Sequence, residues 1–308
     1  MNIKWPVVLL LLGMIAFSCA SDEDKKGRFL LKGNNELAEG NTKGAIGYYD
    51  EALAIDPAFK EAYYNRGLAR HRQLRYPEAI ADFDKAIELD ETYRDARLQR
   101  IMAYLDFGEY YKALENSNAL VASDEADEQA HFVRGLTLSA LKEYPEAKQA
   151  FLQALALNPE NVELHINLAT VHYHLDDWET ALQDLTRARK LDSRHSMIYN
   201  LQSLIQFELG DYQKALDSVE EAIDLEKDQP FYYNNRGLYR LYLGELEEGL
   251  KDINFSLKQD NRNLYALRNK GIYYFKKGEM EMAERFLREV YEKDPSMALV
   301  EEYLQSAR

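Results

Sequence analysis

The chain has 308 residues, of which 46% are hydrophobic and 30% are charged, with only 7 prolines and 15 glycines. This composition excludes a disordered chain and favours a folded, helix-rich one. The 53 acidic residues outnumber the 38 basic ones, which gives a net charge of −15. Because non-specific nucleic-acid binding requires a basic surface, the charge argues against a nucleic-acid partner.

The first predicted element is an export signal. Lys4 precedes an apolar run from Val7 to Phe17, and the small residues Ser18-Cys19-Ala20 follow it. The run is short for a membrane span, which needs about 20 residues, so it predicts a secretory signal. Cys19 is the only cysteine, and an internal disulfide is therefore excluded.

The stretch from Ala16 to Cys19 resembles the end of a bacterial lipoprotein signal, although its first position holds alanine where leucine is usual. A looser motif followed by acids, here Ser21 to Asp24, is typical of Bacteroidetes and resembles a surface-export signal. The resemblance implies a signal peptide over 1–18, lipidation of Cys19, an acidic tether over 19–25 and anchorage to the outer membrane, with surface exposure left open. An ordinary signal peptide with Cys19 near its cleavage point is the alternative.

A period of 34 residues organises the rest of the chain. Related tripeptides recur at multiples of this period: Leu31-Lys32-Gly33, Asn65-Arg66-Gly67, Val133-Arg134-Gly135, Asn235-Arg236-Gly237 and Asn269-Lys270-Gly271. Residues 26–297 divide without insertion into 26–59, 60–93, 94–127, 128–161, 162–195, 196–229, 230–263 and 264–297. An unbroken period of this length predicts a solenoid of repeated supersecondary units.

Fixed positions within each unit predict a helical hairpin. Position eight is mostly small: Gly33, Gly67, Ile101, Gly135, Ala169, Ser203, Gly237 and Gly271. Position twenty is small throughout: Ala45, Ala79, Ala113, Ala147, Ala181, Ala215, Gly249 and Ala283. Small side chains allow two helices to approach closely, and the bulky residues at position twenty-four are predicted to pack between repeats.

Turn signals mark where the helices end. Glycine at position fifteen permits the left-handed conformation that terminates a first helix, at Gly40, Gly108, Gly210, Gly244 and Gly278. An acid or asparagine closes each unit, at Asp56, Asp90, Asp124, Asn158, Asp192, Glu226, Asp260 and Asp294. These residue types favour turns, especially before proline.

This pattern resembles the tetratricopeptide repeat family over residues 26–297. Repeats one and four match best, whereas repeat three departs most, with Ile101 and Ser117 at key positions. Position eleven, usually aromatic in the family, is polar at Glu36, Arg70, Gln206 and Arg240. The resemblance implies an all-α, right-handed α-solenoid of eight hairpins. Residues 298–308 are expected to form a capping helix, with an apolar face that includes Met297, Val300, Tyr303 and Leu304.

The resemblance also implies a concave groove lined by positions two, five, six, nine, twelve and thirteen. Amide side chains there can pair with a partner's backbone, and aromatic faces can receive its side chains. The candidate groove residues are Tyr64, Asn65, Phe132, Asn167, Tyr173, Asn200, Phe207, Asn235, Asn269 and Phe275. The alternative is that the asparagines bridge neighbouring helices and the aromatic residues belong to the core.

Two sharper binding hypotheses were weighed. A clamp for chaperone C-terminal carboxylates is rejected, because Asn34 and Asn65 match it but Leu30, Asp95 and Gln99 occupy its basic positions. A basic series at position seven comprises Lys32, Arg66, Arg100, Arg134, Arg236 and Lys270. It could hold an acidic partner, but we expect each cation to pair with an acid of an adjacent helix.

Chemistry-bearing motifs are missing from the sequence. His172 and His174 are two residues apart on a helix and point to different sides, and His165 lies two turns earlier, so no metal site is predicted. No nucleophile motif or phosphate-binding loop occurs. We therefore expect neither enzymatic activity nor a cofactor.

The sequence thus predicts a scaffold or adaptor that binds another envelope or surface protein in its groove. A self-assembling structural component is the main alternative. An assembly factor for pili, secretion or outer-membrane proteins is another, and no residue selects among these roles.

Overall fold

The computed structural model describes residues 22–306, and every regular element in that range is a helix. The helices are α1 (Asp22–Ala38), α2 (Thr42–Ile55), α3 (Lys60–Arg72), α4 (Tyr76–Leu89), α5 (Arg94–Phe107), α6 (Tyr110–Ser123), α7 (Glu128–Ala140), α8 (Tyr144–Leu157), α9 (Val162–His174), α10 (Trp178–Leu191), α11 (Ser196–Glu208), α12 (Tyr212–Leu225), α13 (Pro230–Tyr242), α14 (Leu246–Gln259), α15 (Leu264–Lys277), α16 (Met280–Lys293) and α17 (Val300–Ser306). None of these described helices is both long and apolar enough to cross a bilayer. The predicted signal peptide and Cys19 lie outside the described residues.

The helix boundaries follow the predicted period. From α2 and α3 onward, corresponding helices begin 34 residues apart. α1 is the exception, because it begins at Asp22 and takes in most of the predicted acidic tether. Asp22, Glu23 and Asp24 lie in its first turn, where carboxylates interact favourably with the positive end of the helix dipole.

The chain divides into two compact units, residues 1–116 and 117–308. The division falls within α6, which belongs to repeat three, the repeat that departs most from the predicted pattern. Each unit is described by itself below.

Helix contacts give both units the same internal order. In unit 1–116, α1 packs against α2 and α3 against α4, and α2 and α4 pack against the next first helices α3 and α5. In unit 117–308, the first helices from α7 to α15 each pack against their own second helix, and α8, α10, α12 and α14 pack against the next first helix. In unit 117–308, successive first helices α7, α9, α11, α13 and α15 also contact one another. Among the described residues, α8, α10, α12, α14 and α16 make no such contacts with one another. The first helices therefore form the inner layer of this unit.

The small residue at position eight is explained by the bulky residue at position twenty-four. A Cβ atom on Gly67 would lie 2.6 Å from the ring of Phe83, and one on Gly135 would lie 2.5 Å from the ring of Phe151. In each case both residues belong to one hairpin. These rings fill the space within their own hairpin, and Phe83 also clusters with Ala103 of the next repeat, so position twenty-four packs between repeats as well.

The turn after each first helix has a left-handed residue. The five predicted glycines have φ between 79° and 86°. Where glycine is missing, Leu74, Lys142 and Asp176 take the same place with φ of 61°, 63° and 56°. The helix ends were thus predicted correctly, and the turn geometry persists even where the residue type does not favour it.

The closing acids have a second role besides turn formation. Asp56 accepts a hydrogen bond of 2.6 Å from Lys26, and Asp90 accepts one of 2.5 Å from Lys60. In both cases the partner is the first residue of the same repeat. Bonds from Lys60 and Thr92 lower the pKa of Asp90 to about 2. These contacts tie the end of a repeat to its beginning.

The C-terminal helix α17 covers the last repeat, as predicted. Met297, Val300, Tyr303 and Leu304 are all buried. The ring of Tyr303 packs edge-on against Phe275, with centroids 5.0 Å apart, and its hydroxyl donates to the Tyr242 hydroxyl at 3.1 Å. The final hairpin therefore ends in a packed face, as a solenoid terminus requires.

Candidate partner-binding surface on the inner helices

In unit 1–116, the predicted amide Asn65 is bonded to a neighbouring helix. Its Nδ2 donates to Oδ1 of Asn34 at 3.0 Å, and the same oxygen accepts from the Tyr49 hydroxyl at 2.9 Å. Asn65 and Asn34 lie on α3 and α1 respectively. The two asparagines that matched the rejected clamp therefore join adjacent first helices.

The same arrangement recurs in unit 117–308. Asn235 Nδ2 donates to Asn200 Oδ1 at 3.0 Å, and Asn269 Nδ2 donates to Asn234 Oδ1 at 2.9 Å. Asn200 and Asn269 are 5% and 0% exposed. The prediction that these two amides contact a partner is therefore wrong, because burial and internal bonds commit them to the helix stack. Asn235 stays only partly exposed.

Asn167 behaves differently from the other predicted amides. Its Nδ2 donates to the backbone carbonyl of Glu163, one turn earlier on α9, at 2.8 Å. Asn167 is partly exposed, and its contact with a partner stays a prediction.

Most predicted groove aromatics pack within the hairpins. Tyr64 lies against Phe83 and Tyr93, with ring centroids 6.1 Å and 5.1 Å away. Phe132 lies 6.0 Å from Phe151. Burial raises the pKa of Tyr64. These rings contribute to the core, and each keeps only part of its surface exposed.

The aromatic candidates Phe207, Phe275 and Tyr173, of repeats six, eight and five, each have an internal partner. Phe207 lies between Tyr212, Tyr239 and Tyr242, with centroid distances of 5.4, 5.3 and 5.0 Å. Phe275 is partly covered by Tyr303 of α17. Tyr173 donates its hydroxyl to Glu208 at 3.3 Å, and burial together with that carboxylate raises its pKa.

One set of exposed groove residues was missed. Met197, Phe231 and Tyr265 are 37%, 37% and 58% exposed, and each stands at position two of its repeat. They lie at the starts of the inner helices α11, α13 and α15. We call these three residues the apolar stripe. Their apolar character and 34-residue spacing are visible in the sequence. They were not predicted because the candidate residues were taken from the asparagines and from the aromatic residues at other positions.

The basic series is paired, as expected, at three of its positions. Arg66 bonds Asp82 and Asp50, Arg100 bonds Asp84, and Arg236 bonds Asp252, all at 2.5–2.8 Å. These arginines are therefore not a free ladder of cations.

The histidines have structural environments. Nδ1 of His172 lies 2.8 Å from Oδ2 of the buried Asp184, and Nε2 of His165 lies 3.0 Å from the Pro159 carbonyl. His174 stacks on Tyr144 at 4.6 Å. No group of three or more metal-ligating side chains converges within residues 22–306.

Comparison with known proteins identifies the repeat. Family models described as tetratricopeptide repeat match residues 61–93, 98–162, 138–205, 198–229 and 234–298, and one described as TPR repeat matches 33–73. Together they cover well over half of the chain. The chain belongs to the tetratricopeptide repeat family. No curated protein matches it in sequence.

Solved structures agree with this assignment. A tetratricopeptide repeat protein from Parabacteroides merdae has a TM-score of 0.70 at 19% identity, over 81% of this chain and 98% of its own. A chain of the APC/C hetero-tetramer Cut9–Hcn1 has a TM-score of 0.71 at 16% identity, over 94% of this chain and 57% of its own. The structure of pilF of Pseudomonas aeruginosa has a TM-score of 0.57 at 18% identity, over 70% of this chain and 97% of its own. These identities show a shared fold.

The family assignment gives the inner surface its general role. Tetratricopeptide repeat proteins act as scaffolds for protein–protein interaction. In this chain the buried asparagines hold the inner helices together, while the apolar stripe stays open to solvent. The apolar stripe and the side chains around it are therefore the candidate partner-binding surface.

Proposed function

We propose that this tetratricopeptide repeat protein is a non-enzymatic adaptor of the bacterial cell envelope. It binds an extended polypeptide along the inner helices of unit 117–308 and is anchored to the outer membrane through a lipid on Cys19. The observation that carries the binding proposal is the apolar stripe, in which exposed apolar side chains stand at one position of three consecutive repeats. Exposed apolar residues are common on protein surfaces, and the second helices also carry an aligned set; the stripe is distinguished by its place on the inner layer of first helices.

The spacing of the stripe suits an extended chain. Packed helices lie about 8–10 Å apart. A polypeptide in the extended polyproline II conformation rises about 3.1 Å per residue with three residues per turn, so side chains three residues apart lie on one face about 9 Å from each other. Every third residue of the partner therefore meets the next member of the stripe. We expect a partner segment with apolar side chains three residues apart.

Exchange of the stripe for polar residues tests the binding proposal. We expect the triple variant Met197→Ser, Phe231→Ser, Tyr265→Ser to lose one envelope protein selectively in a crosslinked pull-down from native membranes. The reason is that the partner's apolar side chains would lose their contacts on the inner helices.

A matched control exists on the second helices. Leu157, Leu191 and Leu225 are also 34 residues apart and are 45%, 43% and 37% exposed, so their triple serine variant removes similar apolar surface elsewhere. Equal partner recovery with both variants contradicts binding through the stripe. If every bait recovers only copies of this chain, the protein is a self-assembling component and not an adaptor. If another protein is recovered, its identity decides between a general adaptor and an assembly factor.

The anchoring proposal has its own test. We expect Cys19→Ala to move the protein from the membrane fraction to the soluble fraction, since each buried methylene of a lipid contributes about 0.8 kcal/mol of membrane affinity. Metabolic labelling with a fatty acid, followed by immunoprecipitation, checks the modification directly. Unchanged fractionation together with absent label in the unaltered protein rules out the lipid anchor.

A further inference from the structure

Arg268 is a buried cation without a carboxylate partner. It lies on the inner helix α15 and is 7% exposed. Its Nε donates to Asn269 Oδ1 at 3.0 Å and its Nη1 to the Ala298 carbonyl at 3.4 Å. Among the described residues, no carboxylate oxygen lies within 4.0 Å of its guanidinium nitrogens. A buried charge without a counter-ion is unfavourable, so this site is suited to receive an anion.

The arginines of the preceding repeat have a carboxylate partner that Arg268 lacks. Arg236 and Arg240 of α13 both bond the carboxylate of Asp252, at 2.8 and 2.7 Å. Those arginines are partly buried and already neutralised within their own hairpin. Arg268 has only neutral acceptors, and burial lowers its pKa.

The surroundings of Arg268 come from four successive inner helices. Tyr173 of α9, Glu208 of α11, Tyr242 of α13 and Tyr265 of α15 are its electrostatic neighbours. The ring of Tyr265 lies 5.5 Å from the guanidinium carbon. Glu208 already accepts a hydrogen bond from Tyr173. The cluster therefore faces the inner layer, next to the apolar stripe.

Lys276 adds a second cation to the same helix. Its Nζ lies 4.4 Å from the centroid of the Tyr242 ring, and burial lowers its pKa. It forms no ion pair with any carboxylate in residues 22–306. Eight residues of helix separate it from Arg268, which corresponds to about 12 Å. Glu208 is an electrostatic neighbour of Arg268, and Glu302 is one of Tyr242, but neither forms an ion pair with Arg268 or Lys276.

The depths of the side chains indicate how a ligand would reach the arginine. Tyr265 is 58% exposed, whereas Arg268, one turn later, is 7% exposed. A polypeptide backbone that lies over Tyr265 cannot itself descend to the guanidinium. A side chain projecting from that backbone can reach it.

We propose that Arg268 binds the carboxylate of an aspartate or glutamate side chain in the partner polypeptide, whose apolar residues lie on the apolar stripe. This inference rests on the proposed function and narrows it to an acidic, apolar segment. An arginine can bind a carboxylate through two parallel hydrogen bonds, and Lys276 adds longer-range attraction for acidic residues nearby.

Labelled peptides test the proposal on the full chain. The probes are amidated, fluorescent peptides of about ten residues with leucine or phenylalanine at every third position, and with Glu, Gln or Lys at one central position. We expect the glutamate peptide to bind about 10- to 100-fold more tightly than the glutamine peptide, as charge-assisted hydrogen bonds require. Arg268→Gln should abolish this preference, and fluorescence anisotropy measures it.

Matched variants separate binding from folding. Arg285→Gln removes an exposed arginine from α16 and should retain the preference. Arg268→Lys keeps the positive charge and should retain part of the preference for the glutamate peptide. Circular dichroism checks the helix content of each variant. If Arg268→Gln does not fold, the difference in affinity between the glutamate and glutamine peptides for the unaltered chain still tests whether an acidic side chain is bound.

Each result points to one conclusion. Equal binding of the glutamate and glutamine peptides, or a preference that survives in folded Arg268→Gln, overturns the assignment of Arg268 but leaves the adaptor proposal standing. Binding confined to otherwise identical peptides with a free C-terminal carboxylate shows that a chain terminus, not an acidic side chain, is recognised. If no peptide of any series binds, the proposed function itself fails.

Discussion

The substitution Asp252→Ala is expected to lower the free energy of unfolding by about 3–5 kcal/mol. Asp252 is 6% exposed and accepts hydrogen bonds from Arg236 and Arg240 at 2.7–2.8 Å. Its removal leaves two partly buried guanidinium groups with only the more exposed carboxylates of Glu220 and Glu245 nearby, at 3.3–4.0 Å, and this cost exceeds the loss of the bonds themselves. Urea unfolding followed by circular dichroism measures the change, and hydrogen exchange locates it on α13 and α14.

Two further variants show whether the arginines are responsible. Asp217→Ala removes an exposed acid on the neighbouring helix α12 and should change stability by less than about 0.5 kcal/mol. The triple variant Arg236→Met, Arg240→Leu, Asp252→Leu should recover much of the loss, because well-packed apolar residues can replace a buried ion pair. If Asp252→Ala behaves like Asp217→Ala, the charged cluster does not stabilise the hairpin.

This cluster is one case of a pairing that the sequence contains. Position eleven is polar in several repeats, and its partner is position twenty-three on the second helix of the same hairpin. The two positions match in chemistry in repeats two, five, six, seven and eight, but not in repeat one, with Glu36 and Tyr48, or in repeat three, with Tyr104 and Asn116. The contacts are Arg70–Asp82 at 2.7 Å, His172–Asp184 at 2.8 Å, Gln206–Ser218 at 2.7 Å, Arg240–Asp252 at 2.7 Å and the stacked rings Tyr274–Phe286 at 5.6 Å. In these five repeats the residue at one position therefore indicates the type of residue at the other.

The period alone predicted most of the fold. It located the hairpins, the left-handed turns and the C-terminal cap, because each depends on residue size or backbone conformation at a fixed position. It did not predict that α1 extends back to Asp22, since those residues precede the first repeat. Nor did it give the division within α6, although the unusual Ile101 and Ser117 had marked repeat three as different.

The candidate site was predicted less well, and the reason is geometric. A repeat position tells which way a side chain points, but not whether the next repeat offers it a partner. Asn269 points toward the neighbouring inner helix and finds Asn234 there, so it becomes structural. Arg268 is buried partly because its guanidinium reaches the Ala298 carbonyl just before α17, a contact outside the repeat pattern.

Replacement of Gly237 by alanine is expected to lower the free energy of unfolding by about 1–3 kcal/mol, although alanine is the better helix former. A Cβ atom at this position would lie 2.8 Å from the backbone oxygen of Gly249 and 3.2 Å from the backbone nitrogen of Ile253. Both neighbours are backbone atoms of α14, so relief requires the two helices to separate. The same contact explains why repeat seven has glycine, not alanine, at position twenty.

Two other glycines calibrate this effect. Gly135→Ala should be less disruptive, since its Cβ meets the side-chain ring of Phe151, which can shift. Gly47→Ala on α2 meets nothing within 4 Å and should stabilise its own unit by up to about 1 kcal/mol. Urea unfolding of the three variants ranks their free energies of unfolding. If Gly237→Ala is as favourable as Gly47→Ala, then α13 and α14 do not approach as closely as the structure shows, and close packing is not what selects glycine in repeat seven.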